Sequence, residues 1–261
     1  METWRSAITN ADGNRIIVRG HDLVSLMEQG TYGQVVALLL GGRMPDEGER
    51  RLIEAMLIAV ADHGAGAPSA ATARMAATGN RLAPEAAVAA GILAIGDAHA
   101  GAGMACMQII TDALERAARE SRSICDVARA TAVDARAAGR RLPGLGHRLY
   151  SEDPRATALF AIAEQYGKAG PGVEFIRALQ RAVAETVKPL PINIDGAIGA
   201  VLHDLGYATA AAKLIFIVGR TAGLAAHVME EYTRERPMRI RIPVVYDGPP
   251  PVDERVEEVK R

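Results

Sequence analysis

The sequence predicts a mainly α-helical protein, and three observations predict it. Hydrophobic residues make up 49% of the 261 residues and aromatics only 4%, so small and aliphatic side chains carry the core. That composition favours helices packed at close range. Apolar residues recur with helical spacing in one segment after another. No repeat and no βαβ alternation is found, so nothing calls for a parallel sheet.

Taken in order, residues 7–20 hold Asp12-Gly13-Asn14 and then Ile16-Ile17-Val18, a short hairpin or extended entry segment. Near Thr31 the period changes, and Val35, Val36, Leu38, Leu39 and Leu40 make a short helix stopped by Gly41-Gly42 and Pro45. Residues 47–62 place Leu52, Ile53, Met56, Leu57 and Val60 on one helical face. Asp62-His63-Gly64 opens a Gly- and Pro-containing loop through Pro68. Residues 83–95 and about 100–119 read as helices on either side of Gly96–Gly101, and 122–138 as another, ended by Gly139. Pro154 suits the first turn of a helix running to about Tyr166. Residues 172–187 follow, broken by Lys188-Pro189-Leu190-Pro191. Asn193-Ile194-Asp195-Gly196 opens a helix to about Leu205, and 208–231 make a long helix with small residues on one side. The tail holds an extended basic segment, Arg236 to Tyr246, and a charged end expected to be mobile. Residues 140–206 are expected to form a smaller helical domain between two parts of a larger one, 1–139 and 207–261.

A net charge of −1 provides no global basic field for nucleic acid. No window has the ~18 uninterrupted apolar residues of a membrane span. The N-terminus lacks the apolar core of a signal peptide, which points to a cytoplasmic protein. Cys106 and Cys125 have neither CxxC nor metal-ligand spacing and read as reduced, structural thiols.

The most informative stretch is Leu142-Pro143-Gly144-Leu145-Gly146-His147-Arg148, followed by Asp153-Pro154-Arg155. Its glycines let the backbone approach a ligand, its imidazole can carry a proton, and its arginines offer planar forks to carboxylates or phosphates. That combination suggests acid–base chemistry on an anionic substrate. The plain alternative is a helix–helix loop with a solvated basic face. His63, His99 and His147 each sit beside glycines at a helix junction, whereas His203 and His227 read as structural or peripheral. Asp195 at a helix start is either an N-cap or a carboxylate with a raised pKa that moves protons at carbon. Arg220 lies among apolar neighbours and needs a partner, either a salt bridge or a substrate carboxylate. No metal constellation, P-loop or dinucleotide fingerprint is visible.

These segments, in this order, resemble the citrate synthase superfamily. Gly96-Asp97-Ala98-His99-Ala100-Gly101, the His147 loop with Asp153-Pro154-Arg155, Asn193-Ile194-Asp195-Gly196, and Gly219-Arg220-Thr221-Ala222-Gly223 with Ala226-His227 look like the family's motifs. So do Ile17-Val18-Arg19-Gly20-His21-Asp22-Leu23 and Ala37 through Pro45. The long stretch that full synthases have between Pro45 and Asp62-His63-Gly64 is almost absent here. The short form looks like citryl-CoA lyase and the C-terminal module of ATP-citrate lyase, while a histidine at 99 is shared with synthases.

The resemblance implies a citrate synthase-like helical fold with a large and a smaller helical domain. It implies cleavage of citryl-CoA to acetyl-CoA and oxaloacetate, with condensation of acyl-CoA and oxaloacetate, or silent acyl-CoA binding, as alternatives. His99, His147 and Asp195 would be catalytic. His63, Arg155 and Arg220 would hold substrate, with Arg241 given by a neighbouring subunit of a homodimer or higher homo-oligomer. From charge alone, Arg140, Arg141, Arg148 and Lys188 would meet the phosphates of coenzyme A, with backbone groups of Leu142, Gly144 and Gly146 receiving its adenine. The CoA ester is then a substrate, with no permanently bound cofactor.

Overall fold

The computed structural model describes residues 3–97, 99–147 and 150–250; the charged end and Arg148 lie outside these. Among the described residues there are eleven helices and one three-stranded sheet. The mainly α-helical expectation holds.

The entry segment is a hairpin. β1 (Thr9–Asp12) pairs antiparallel with β2 (Arg15–Val18) from Thr9↔Val18 to Asp12↔Arg15, and β3 (His21–Asp22) lies on the other side of β2. α1 (Leu23–Gln29) follows, capped by the Asp22 carboxylate; sequence periodicity did not separate it from the hairpin. α2 (Tyr32–Gly41) opens on a Thr31–Gln34 capping box and stops at Gly42, whose φ of 74° is left-handed. α3 (Glu47–Ala61) buries Leu52, Ile53, Met56, Leu57 and Val60, the stripe its period predicts.

α4 (Pro68–Gly79) begins where the sequence shows a loop and continues without a visible helical period. It buries Ser69, Ala70, Ala73 and Ala77, so its inner face has no bulky apolar residue to mark a period. α5 (Pro84–Leu93), α6 (Ala102–Glu120), α7 (Ile124–Ala137), α8 (Pro154–Gln165), α9 (Pro171–Thr186), α10 (Ile194–Asp204) and α11 (Ala211–Arg234) complete the fold near the expected boundaries. The tail after α11 forms no strand ladder among the described residues. It is tied down where Met238 N–H donates to the Thr78 carbonyl and Arg239 pairs with buried Glu231.

One large buried cluster draws on α2, α3 and α6 to α11, so it runs through both expected domains. A smaller cluster joins Ala70, Ala73 and Ala77 of α4 to Ala87 of α5 and Leu224 and Val228 of α11. Cys106 is buried, whereas Cys125 is exposed. α11 is long and apolar enough to cross a membrane, but half of its apolar window is buried in the fold. It also carries buried Arg220 and Glu231 against neighbouring helices, as a central core helix does.

Candidate active site

The site forms where the His147 loop, the start of α10, the end of α3 and the middle of α11 meet. The His147 loop is stitched to the segment before α10. Gly146 N–H donates to the Pro191 carbonyl, Asn193 N–H to the Gly144 carbonyl, and Asn193 Nδ2 to the Gly146 carbonyl. Gly144 has φ +84°, and a Cβ there would meet Cys106 Sγ at 2.6 Å and Gly196 Cα at 2.8 Å. Only glycine fits both the turn and this crossing.

Asn193, not Asp195, is the N-cap of α10; its side chain accepts from Gly196 N–H. Asp195 is therefore a first-turn residue whose carboxylate is not committed to capping. Burial pushes its pKa up to about 6, with Asp153 adding to the rise and Arg155 and Arg220 opposing it.

Asp153 is a structural hub that the motif alone did not reveal. It is 0% exposed and caps α8. Its Oδ2 accepts from Ile194 N–H at 3.0 Å and from Arg155 Nη2 at 2.8 Å, and its Oδ1 from Arg155 Nε at 3.0 Å. One carboxylate thus fixes the starts of α8 and α10 and the Arg155 fork. Burial opposes its charge, but the Arg155 guanidinium holds its pKa below the usual carboxylate range.

Arg220 is treated differently. It is 2% exposed. Its Nε donates to the Val60 carbonyl at 2.8 Å and Nη1 to Ser69 Oγ at 3.3 Å, and its guanidinium lies 4.8 Å from the Phe216 ring centre. Among the described residues no carboxylate forms an ion pair with it, so the salt-bridge alternative is not what the structure shows. Burial lowers its pKa, the signature of a charge short of compensation.

Ser69 is the second residue that sequence reasoning missed. It is 0% exposed, and its hydroxyl also lies 2.9 Å from His99 Nε2. Arg220 can only donate, so the serine oxygen accepts from it, and the same hydroxyl ties the orientation of the His99 ring to Arg220. Burial, then Arg220 and His63, hold the His99 pKa down. The His63 pKa is also lowered, by burial and then by Arg155 and Arg220. The His63 and His147 rings stand edge to face with centres 6.1 Å apart. His147 Nδ1 accepts from Tyr150 N–H at 3.2 Å, so in the neutral ring the proton sits on Nε2.

His63, His99, His147, Arg155, Asp195 and Arg220 are thus brought into one charge-coupled cleft. Arg241 is not: it is exposed in the tail, and among the described residues no contact joins it to the cleft. Arg140, Arg141 and Lys188 are exposed and Leu142 is half-buried. The backbone of Gly144 and Gly146, expected to receive coenzyme A, also makes bonds within the protein. The Gly144 carbonyl and both Gly146 groups already have partners, because they hold the loop to Pro191 and Asn193.

Residues 44–241 match the family model for the citrate synthase C-terminal domain. The chain belongs to the citrate synthase family. The solved structure of citryl-CoA lyase from Hydrogenobacter thermophilus superposes with a TM-score of 0.89 at 35% identity, covering 100% of both chains. ATP citrate lyase from Methanothrix soehngenii, solved with citrate and coenzyme A, gives 0.79 at 22% identity over 96% of this chain and 42% of its own, which shows the shared fold. Citrate synthase from Haloferax volcanii is 29% identical over 246 residues, 91% of this chain. The chain spans 62% of the length of that curated relative.

Proposed function

We propose that the protein cleaves citryl-CoA to acetyl-CoA and oxaloacetate. The observation that carries this reading is the cluster around Arg220: Asp195, raised to about 6 by burial, His63 and His99 all lie within its electrostatic reach, and His147 stands edge to face with His63. The full-length similarity to a citryl-CoA lyase supports the cleavage direction.

In this reaction His147 takes the proton of the tertiary hydroxyl on Nε2, which requires the Tyr150 N–H contact at Nδ1 to open and the ring proton to move to Nδ1. The alkoxide collapses to the ketone of oxaloacetate, and the carbon–carbon bond pair passes into the thioester as an enolate. His99 donates to the enolate oxygen, its ring held by Ser69, which also meets Arg220. Asp195 delivers its proton to the methylene carbon, completing the acetyl group. Arg220, Arg155 and His63 hold the carboxylates, with Arg241 of a neighbouring subunit as a further ligand in a homodimer or higher homo-oligomer. Arg140, Arg141 and Lys188 meet the CoA phosphates.

A second reading is condensation of an acyl-CoA with oxaloacetate followed by thioester hydrolysis. Its support is the ordered His99 and the similarity to a citrate synthase. The deciding assay supplies citryl-CoA and follows oxaloacetate with malate dehydrogenase and free CoA with a thiol reagent. Oxaloacetate without free CoA is the expected result. Free CoA with citrate selects the second reading, and silence in both channels overturns both.

A further inference from the structure

α11 holds the end of α3 through four positions in succession. Gly219 and Gly223 let the helices close until a Cβ would meet the Leu57 carbonyl at 2.7 Å or the Ala61 carbonyl at 2.1 Å. Arg220 donates to the Val60 carbonyl. One helical turn beyond Gly223, His227 Nε2 lies 2.9 Å from Asp62 Oδ1. Asp62 in turn accepts from Gly64 N–H through Oδ2 at 2.9 Å and from His63 N–H. The Asp62 carboxylate therefore closes the turn that carries His63, and His227 anchors that carboxylate to α11.

The tautomer of His227 is dictated from its far side. Arg74 Nη1 lies 3.5 Å from His227 Nδ1, and an arginine has no lone pair to offer. Nδ1 must accept there, which leaves the proton on Nε2 for Asp62. Arg74 is itself held by Glu230 at 2.9 Å and by buried Glu231 at 3.0 Å. His63 is exposed, with its ring edge to face against His147, so its orientation depends on how the Asp62–Gly64 turn is held.

We propose that His227 is a positioning residue for His63, acting through Asp62. It sits too far along α11 to be part of the Arg220 contacts, and it sets the orientation of a substrate-facing imidazole it does not touch. The kinetic part of the test rests on the cleavage reading; the spectroscopic part does not.

The experiment uses the full chain with His227→Met, which fills the space without a donor, and His227→Gln, whose amide can still donate. In H227M the His63 imidazole signals, assigned among the 6 histidines by loss in His63→Ala, should shift and broaden. KM for citryl-CoA should rise about tenfold with kcat little changed, as for a lost hydrogen bond to a charged group. H227Q should restore both. In an H63A background H227M should add nothing to KM, since a residue acting only through His63 has nothing left to orient. Unchanged His63 signals in folded H227M, additive KM effects, or an H227Q variant as impaired as H227M would each overturn the proposal. Should H227M not fold, Asp62→Ser keeps a turn-closing acceptor but not the reach to His227, and the same outcomes apply. If the wild type does not act on citryl-CoA, the functional reading fails and the imidazole signals alone decide this one.

Discussion

The α8–α10 corner and the α3–α11 corner each present one arginine to the cleft, and they handle its charge in opposite ways. Arg155 is gripped at two points by Asp153, a fully buried carboxylate that also ties two helix starts together. Arg220 meets a carbonyl, a hydroxyl and an aromatic face. In the first corner the charge is already paired, and buried Asp153 serves as the scaffold that aims Arg155. The second carries a buried positive charge short of its counterion, which is how a site waits for an anion. Asp195 feels both: burial raises its pKa and the two arginines oppose the rise.

The sharpest way to break this picture is Asp195→Asn. Cleavage should fall by roughly 10³-fold or more, because an amide cannot carry the proton. Near-normal turnover of citryl-CoA in the folded variant would remove Asp195 from the mechanism. Next in size is a matched pair. Asp153→Asn should destabilise the fold by ~3 kcal/mol in chemical denaturation, since it leaves the Arg155 charge without its partner. Arg220→Met should change stability by ~1 kcal/mol or less while raising KM for citryl-CoA by about 100-fold. If R220M proved the less stable of the two and D153N the weaker binder, the contrast between the corners would be reversed.

Part of this contrast was legible in the sequence and part was not. Glycine-flanked histidines, the Asp-Pro-Arg segment and an arginine inside an apolar helix are local signals, and they named His63, His99, His147, Arg155 and Arg220 as candidates. α3 and its stripe were equally plain because its inward residues are large. α4 was not, because its packing is done by alanines and a serine. Ser69 acquires meaning only when α4 is folded against His99, 30 residues away, and Arg220, 151 residues away. For the same reason Asp195 looked like a cap: local sequence does not show that Asn193 takes that role while its amide reaches back to Gly146.

The pH dependence of turnover sharpens the comparison further. If Asp195 supplies the proton and neutral His147 accepts one, kcat/KM for cleavage falls as pH rises through about 6. Neither direction consumes a proton overall, so condensation must show the same limb. A profile that rises through about 6 would mean an ionised Asp195 working with His147 as an Nε2–H donor, the form favoured by the Tyr150 contact.

The smallest effect separates folding from chemistry at the same carboxylate. The folded-state pKa of Asp195 is raised from 3.8 to about 6, chiefly by burial. Below pH ~4 the group is protonated in both states and contributes no pH-dependent penalty. Between those values the unfolded chain ionises while the folded one resists, so the native state loses stability as pH rises. Above about 6 the full cost of holding the charge is present. D195N removes it, and should be more stable than wild type by on the order of 2 kcal/mol at pH 8, with the gain fading below pH ~4. Thermal unfolding of both proteins at pH 4 and pH 8 measures this. Equal stability at pH 8 would mean that Arg155 and Arg220 together already offset the burial of this carboxylate, and that the α3–α11 corner is compensated before any substrate arrives.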